Sequence, residues 1–83
     1  MIITTTPMIE GKKIVKYLGI VTGEADDPKY NLTEAIKEME EKATSMGANA
    51  IVGVDLDYEV ALDEENILYF ILASGTAVVV ENI

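Results

Sequence analysis

Residues 50–60 carry the pattern that most restricts the fold, because most of this stretch alternates between apolar residues and polar residues or glycine. Side chains two residues apart in a β-strand lie on the same face. Alternation of this kind is typical of a half-buried antiparallel strand. The sequence therefore predicts a strand from Ala50 to Val60 with two unlike faces. The apolar face holds Val52, Val54, Leu56, Tyr58 and Val60, and the other face holds Gly53, Asp55, Asp57 and Glu59.

Four other segments have the β-branched and apolar composition of strands. They are residues 1–5, before Pro7, and residues 14–22, 67–73 and 76–81. Ser74-Gly75 separates the last two strands and predicts a bulge or a tight turn there. The connections are predicted at turns and loops in residues 10–13, 23–28 and 63–66.

One helix is predicted between the second and third strands. Asn31 can cap it, and Glu34 three residues later completes a capping-box pattern. Gly47 stands where a left-handed C-terminal cap belongs. Apolar residues spaced three and four apart form a single stripe along the helix. This stripe comprises Leu32, Ile36, Met39, Ala43 and Met46.

The predicted order β-β-α-β-β, with residues 76–81 as an additional strand at the end, gives an α+β fold with an antiparallel sheet and one covering helix. A chain of 83 residues has room for a single domain, residues 1–83. The helix can cover only one face of the sheet, the one bearing Val52 to Tyr58. Strands 14–22 and 67–73 are apolar on both faces, and contiguous apolar patches mark interfaces. The sequence therefore predicts self-association.

Composition excludes much of the usual chemistry of small domains. The chain has no cysteine and no histidine, its basic residues are all lysine, and its net charge is −9. Thiolate and imidazole metal ligands are therefore absent, and so is the commonest general base, which argues against an enzyme. The negative charge would repel a phosphate backbone, so nucleic acid is not expected as a partner.

Neither a signal peptide nor a membrane span is predicted. The first residues lack a basic region followed by a long apolar run. The longest apolar run, Ile67 to Ala73, is far shorter than the roughly 20 residues that cross a bilayer. We therefore expect no membrane partner and a cytoplasmic location.

Asp55, Asp57 and Glu59 form the main candidate site, a row of carboxylates along one strand face. Neighbours in such a row lie about 6.6–7 Å apart. Oxygen ligands suit hard cations such as calcium or magnesium. Because residues two apart on a strand do not easily converge on one ion, a partner strand or subunit would have to supply further oxygens. The alternative is a solvated strand face that resists edge aggregation.

The remaining candidates are more readily explained by structural roles. Ser74-Gly75-Thr76 offers two hydroxyl groups, but no lysine is placed near them to form a nucleophile pair. The acidic residues 23–27 lack the spacing of an EF-hand loop. Methionines could suggest copper ligation, yet Met39 and Met46 lie in the helical stripe and Met8 stands apart. Asn49 is expected to make hydrogen bonds after the helix, at a subunit junction, and a structural role is favoured over a ligand role.

Several segments together resemble the YbjQ-like proteins. They are Thr4-Thr5-Thr6-Pro7, residues 14–21, residues 46–55 with Gly-Ala-Asn-Ala and Val-Gly-Val, and residues 73–78 with Gly-Thr-Ala-Val. The resemblance spans nearly the whole chain. This sequence differs from the family in one place. Only Ala25 to Asn31 stands where family members usually carry a longer segment before the helix.

The resemblance implies a dodecin-like subunit, in which an antiparallel sheet wraps one helix. It also implies a ring-shaped homopentamer, held partly by short additional strands. The family is described as heavy-metal-binding, and no enzymatic activity is implied. We therefore expect a non-catalytic homo-oligomer that binds a divalent metal ion or a small ligand. The alternatives are a ring that sequesters a small molecule in pockets between subunits, and an enzyme that uses carboxylates.

Overall fold

Four strands and one helix make up the part of the chain that the computed structural model describes, residues 1–26 and 31–83. The predicted α+β class with one helix is confirmed. The second strand is longer than predicted and includes Gly23 to Ala25, which the sequence assigned to a loop. Asp26 follows the strand, and the last two residues of that predicted loop, Asp27 and Pro28, lie outside the described residues. The elements are β1 (Ile2–Ile3), β2 (Lys12–Ala25), α1 (Leu32–Ser45), β3 (Ala50–Leu62) and β4 (Ile67–Asn82).

The sheet is mixed, with the strand order β1-β3-β4-β2. β2 and β3 both run antiparallel to β4, whereas β1 runs parallel to β3. The prediction of a wholly antiparallel sheet was therefore wrong at β1. Parallel neighbours need a crossover of a dozen or more residues, and β2 with α1 supplies it between β1 and β3. Thr4 continues the pairing, because its backbone N–H donates to Ile51 O at 3.0 Å and its carbonyl accepts from Val54 N at 3.0 Å.

β4 runs without interruption through Ser74 and Gly75, so the predicted break there was wrong. The irregularity lies instead on the partner strand. Val52 pairs with Thr76 and Asp55 pairs with Ser74, which leaves Gly53 and Val54 opposite one residue. Gly53 has a φ of 62°, in the left-handed region that glycine adopts without strain. This is a β-bulge in β3.

The bulge reverses which residues of β3 face α1. Before it, Ile51 faces the helix, whereas Val52 packs on the opposite side of the sheet. After it, Val54 and Leu56 face the helix. The prediction that Val52 and Val54 share a face was therefore wrong, because the extra residue shifts the period-two pattern by one. Downstream of the bulge the predicted alternation holds.

α1 packs on the sheet through a narrow face of small residues and one methionine. Ala35, Met39 and Ala43 are fully buried, while Ile36 is half-buried and Met46 is exposed. The buried centre thus lies slightly to one side of the predicted stripe. Asn31 caps the helix as predicted, since its side-chain oxygen accepts from Glu34 N at 3.4 Å. No helix in the described part of the chain is long and apolar enough to cross a membrane.

The helix ends in a Schellman motif built around Gly47. Ala48 N donates to Ala43 O at 3.0 Å, and Gly47 N donates to Thr44 O at 3.0 Å. Gly47 has a φ of 89°, which side chains with a Cβ rarely adopt. These bonds satisfy carbonyls that the end of a helix otherwise leaves without partners. The predicted left-handed cap is therefore confirmed.

We expect Gly47→Val to lower the free energy of unfolding by about 1–2 kcal/mol. The cost is conformational, because nothing lies within 4 Å of the position that a Cβ would occupy. Gly47→Asn is the matched control and should cost less, since asparagine tolerates this conformation better. Urea unfolding at a fixed protein concentration measures both variants. Equal stability of the valine variant and the wild type would contradict the cap.

Candidate functional site

The three candidate carboxylates, Asp55, Asp57 and Glu59, lie on β3 after the bulge. Because Val54 and Leu56 face the helix, the alternating carboxylates point to the opposite side of the sheet. All three are exposed. The register places them directly opposite Ser74, Leu72 and Phe70 of β4, respectively. We call these three residues the acidic row.

Mutual repulsion acts within the acidic row. The negative charge of Asp55 is the main cause that raises the pKa of Asp57 above its ordinary value. Partial desolvation, a side-chain hydrogen bond with Asp55 and the charge of Glu59 raise it further. A nearby cation would lower the electrostatic repulsion energy between two neighbouring carboxylates. The row is therefore electrostatically suited to attract positive charge.

The acidic row does not by itself form a closed metal site. In residues 1–26 and 31–83 no group of three or more His, Cys, Asp or Glu side chains lies close enough together to hold an ion. Metal binding at Asp55, Asp57 and Glu59 therefore stays a prediction that needs further oxygens from another subunit. Soft metals lack suitable ligands as well, because the chain has neither cysteine nor histidine.

Ser74 and Thr76, the two hydroxyl residues considered as a nucleophile site, lie within β4. Ser74 pairs with Asp55 and Thr22, and Thr76 pairs with Val52 and Ile20, so the register places no lysine opposite either hydroxyl.

Asn49 connects the segment after α1 to β4 through hydrogen bonds. Its Nδ2 donates to Val80 O at 2.9 Å, and its Oδ1 accepts from Val80 N at 2.8 Å. These two bonds imitate one step of a β-ladder, so Asn49 has a structural position within the subunit. Met39 is fully buried and fills the core, whereas Met8 and Met46 are exposed. The structure therefore gives the methionines no common site.

The hairpin of β3 and β4 extends past the helix and leaves apolar side chains in solvent. We call residues 60–68 the arm. The exposed fraction is 58% for Val60, 81% for Leu62, 55% for Ile67 and 50% for Leu68. The radius of gyration is 14.5 Å, whereas a compact domain of this length has about 12 Å. The arm thus adds length to the molecule and is largely uncovered within one subunit.

A second apolar surface lies on β2 and the residues around it. Tyr17 is 69% exposed and Ile20 is 80% exposed. The sequence predicts a strand at residues 14–22 that is apolar on both faces, but it carries no signal that connects this surface with residues outside the strand. We call it the β2 surface: Met8, Tyr17 and Ile83 line one groove there, and Ile20 is a further exposed apolar residue of β2.

Known proteins align with this chain along nearly its whole length. A "UPF0145 protein" of Listeria ivanovii is 43% identical over 107 aligned positions, covering 98% of this chain and 96% of that protein. A "UPF0145 protein" of Acetivibrio thermocellus is 46% identical over 107 positions, covering 98% of this chain and 100% of that protein.

One solved structure has the same fold. It is a crystal structure from Pediococcus pentosaceus, of a protein of unknown function in the DUF74 family. It superimposes with a TM-score of 0.77 and covers 98% of each chain. Its sequence identity to this chain is 21%, so the likeness concerns the fold alone.

The family model for YbjQ, described as "Putative heavy-metal-binding", matches this chain in two parts, residues 1–32 and residues 29–81. The alignments to relatives have more positions than this chain has residues. Both observations agree with a segment before α1 that is shorter here than in relatives. Matches over nearly the full length, at over 40% identity, confirm the resemblance seen in the sequence. The chain therefore belongs to the YbjQ family of UPF0145 proteins.

Proposed function

We propose that this protein is a non-catalytic subunit of a closed homo-oligomeric ring, a pentamer, which attracts divalent cations to the acidic row of each subunit. The observation that carries the proposal is the arm, whose apolar side chains lie uncovered in a single chain. Contiguous exposed apolar surface of this kind marks an interface. Closed symmetry is the usual outcome when a soluble chain associates with itself.

The proposed ligand is a hard cation, not a soft heavy metal. Carboxylate oxygens suit calcium, magnesium and manganese. Repulsion between Asp55 and Asp57 supports the proposal, because a bound cation would relieve it. A ring would bring several acidic rows into one assembly, and their summed charge would concentrate cations without a preformed cage. The heavy-metal description belongs to the family, and this chain lacks the thiolate and imidazole ligands that zinc and copper favour.

A second candidate function is binding of a small molecule between subunits. An open groove of about 320 Å³ lies beside the base of the arm. Its lining combines carboxylates with apolar and aromatic side chains, a mixture that suits an amphipathic ligand. In this function a neighbouring subunit would close the groove. The lining residues are Glu24, Asp26, Leu68, Tyr69 and Phe70.

Isothermal titration of the assembled protein tests the cation proposal. We expect calcium, magnesium and manganese to bind weakly, and added salt to weaken them further by screening. Zinc and copper should bind no more tightly than about micromolar, roughly −8 kcal/mol. Asp57→Asn should reduce calcium binding. Glu41→Gln is the matched control, because it removes one exposed charge from α1 and leaves the acidic row intact.

A different result would point to another site. A nanomolar, stoichiometric zinc or copper site that survives both Asp55→Asn and Asp57→Asn would contradict the ligand argument and the proposed location. Equal loss of calcium binding in Asp57→Asn and Glu41→Gln would show that only net charge matters.

Asp57 should also make stability depend on pH in a definite direction. Its pKa is raised in the folded chain, so the folded state holds this proton more tightly than the unfolded state. Stability should therefore fall as pH rises from 3.8, the ordinary value, through the raised value. Asp57→Asn should remove this component, so its stability relative to wild type should increase across the same window. Urea unfolding at several pH values checks the difference, and a constant difference would contradict the repulsion.

A further inference from the structure

The sheet face that points away from α1 carries carboxylates on both sides of an apolar centre. The register places Asp57 of β3 opposite Leu72 of β4, and Leu72 opposite Glu24 of β2. One step further along β4, Phe70 lies opposite Glu59. Leu72 and Phe70 are half-buried. We call this surface the trough, and it consists of the acidic row, Leu72, Phe70, Glu24 and Asp26.

The groove at the base of the arm forms one side of the trough, since Glu24 and Asp26 line it together with Phe70. Ile71 and Ala73 pack in the core with α1, so the alternating Leu72 points to the opposite side of the sheet, as the acidic row does. Neighbouring strands lie about 4.8 Å apart, so β4 separates Glu24 from the acidic row by about 10 Å. The trough therefore presents two lines of carboxylates with apolar side chains between them.

We propose that the trough binds a linear aliphatic polyamine, whose ammonium groups meet carboxylates on both sides while its methylene chain lies across Leu72 and Phe70. The inference rests on the small-molecule function proposed above and names the class of ligand.

The spacing of the carboxylates favours an extended cation over a single ion. Neighbours in the acidic row lie about 6.6–7 Å apart, and the two lines lie about 10 Å apart. In residues 1–26 and 31–83 no group of three acidic side chains is close enough together to hold one metal ion. A chain with separated ammonium groups reaches carboxylates that one ion cannot bridge. Each primary ammonium group also offers N–H donors, which form strong hydrogen bonds with carboxylate oxygens.

Charge around the trough favours a cation over an amphipathic anion. The net charge of the chain is −9. Among the described residues, the lysines of β2 lie at its opposite end and the other lysines belong to α1. The carboxylates of the trough make no salt bridge within this part of the chain. The field of the protein therefore attracts a polyamine and repels an anion.

The apolar centre distinguishes a polyamine from an inorganic cation. Methylene groups that lie on Leu72 and Phe70 are removed from water, which stabilises the complex. An ammonium group near the Phe70 ring also gains from the negative face of the ring. A metal ion gains from neither contact.

Isothermal titration of the assembled protein with spermidine, a linear triamine, tests both sides of the trough. Glu24→Gln and Asp57→Asn should each weaken spermidine binding by about two- to fivefold, the range expected for one exposed ion pair. Glu41→Gln is the matched control, because it removes the same charge from the exposed face of α1 and should weaken binding much less.

Leu72→Thr tests the apolar centre and keeps a residue that suits a strand. It should weaken spermidine binding by about fourfold, the gain from one buried methylene group. Hexaamminecobalt(III) is the matched ligand, since it is a compact cation with the charge of spermidine and no methylene groups. Its binding should not change in Leu72→Thr. Circular dichroism checks that each variant is folded.

Three results would overturn the polyamine proposal. They are equal weakening in Glu24→Gln and Glu41→Gln, equal weakening of both ligands in Leu72→Thr, and an assembled protein that does not bind spermidine because a neighbouring subunit covers the trough. If calcium binding still responds to Asp57→Asn in these cases, the cation proposal stands. If spermidine does not bind but the neutral dye Nile red binds and responds to Leu72→Thr, the small-molecule function stands without a polyamine ligand.

Discussion

Gly23→Ala should lower the free energy of unfolding by about 3 kcal/mol or more, the largest effect we expect from a single methyl group. A Cβ on Gly23 would lie 1.9 Å from Ala35 O and 2.8 Å from Met39 N. Both atoms belong to the helix backbone, so no side chain can turn aside to make room. Overpacking usually costs about 1–3 kcal/mol, and here α1 as a whole must move away from β2.

Two other substitutions, Thr22→Ala and Gly75→Ala, provide smaller expected losses of stability for comparison. Thr22→Ala is the matched control, because Thr22 is exposed and the change should cost no more than about 1 kcal/mol. Gly75→Ala should fall between the two, since its Cβ would lie 2.7 Å from Cγ2 of Ile51, which is a side-chain atom and not helix backbone.

Urea unfolding at one fixed protein concentration compares the three variants, because association also changes apparent stability. A Gly23→Ala variant within about 1 kcal/mol of wild type would show that α1 is not in direct backbone contact with β2.

Local sequence signals predicted the helix well. Asn31 and Gly47 are residues whose own side chain, or lack of one, determines an end of a helix. The acidic row was also assigned to the correct strand and to one face, because alternation is unbroken after the bulge. These features depend on neighbours close in sequence, so the sequence alone was enough to predict them.

Features that depend on distant contacts were missed. Gly53 fits the alternating pattern as an outward-facing residue, so nothing local distinguished a bulge from a regular strand. The sequence predicts a break in β4 at Gly75, whereas Gly75 makes room for Ile51 and for Val54 of that bulge. The sequence also predicts that Gly23 lies in a loop, whereas Gly23 permits the close approach of α1. In each case the requirement for glycine comes from another element of the fold.

The direction of β1 and the completion of a cation site also depend on parts of the structure that are distant in sequence. A two-residue strand carries no signal for parallel or antiparallel pairing, and its direction follows from the crossover through β2 and α1. Likewise the sequence could suggest Asp55, Asp57 and Glu59 as ligands, but further oxygens would have to come from outside this strand.

Self-association has the second large expected effect, because it changes the mass of the species in solution several-fold. Three features of the single chain support self-association: the extended shape, the exposed apolar arm and the exposed apolar β2 surface. A small domain buries a limited share of its surface on folding, and further burial between subunits stabilises it. The ring and the cation proposal are linked, since only an assembly brings acidic rows from different subunits together.

Native mass spectrometry of the freshly purified protein, at micromolar concentration, tests this account most directly because it reports subunit number and bound mass together. We predict one closed species with five times the mass of the 9.0 kDa chain. Any additional mass should match weakly held divalent cations and disappear in high salt. A spectrum with only the single chain, unchanged as protein concentration rises, would contradict the account.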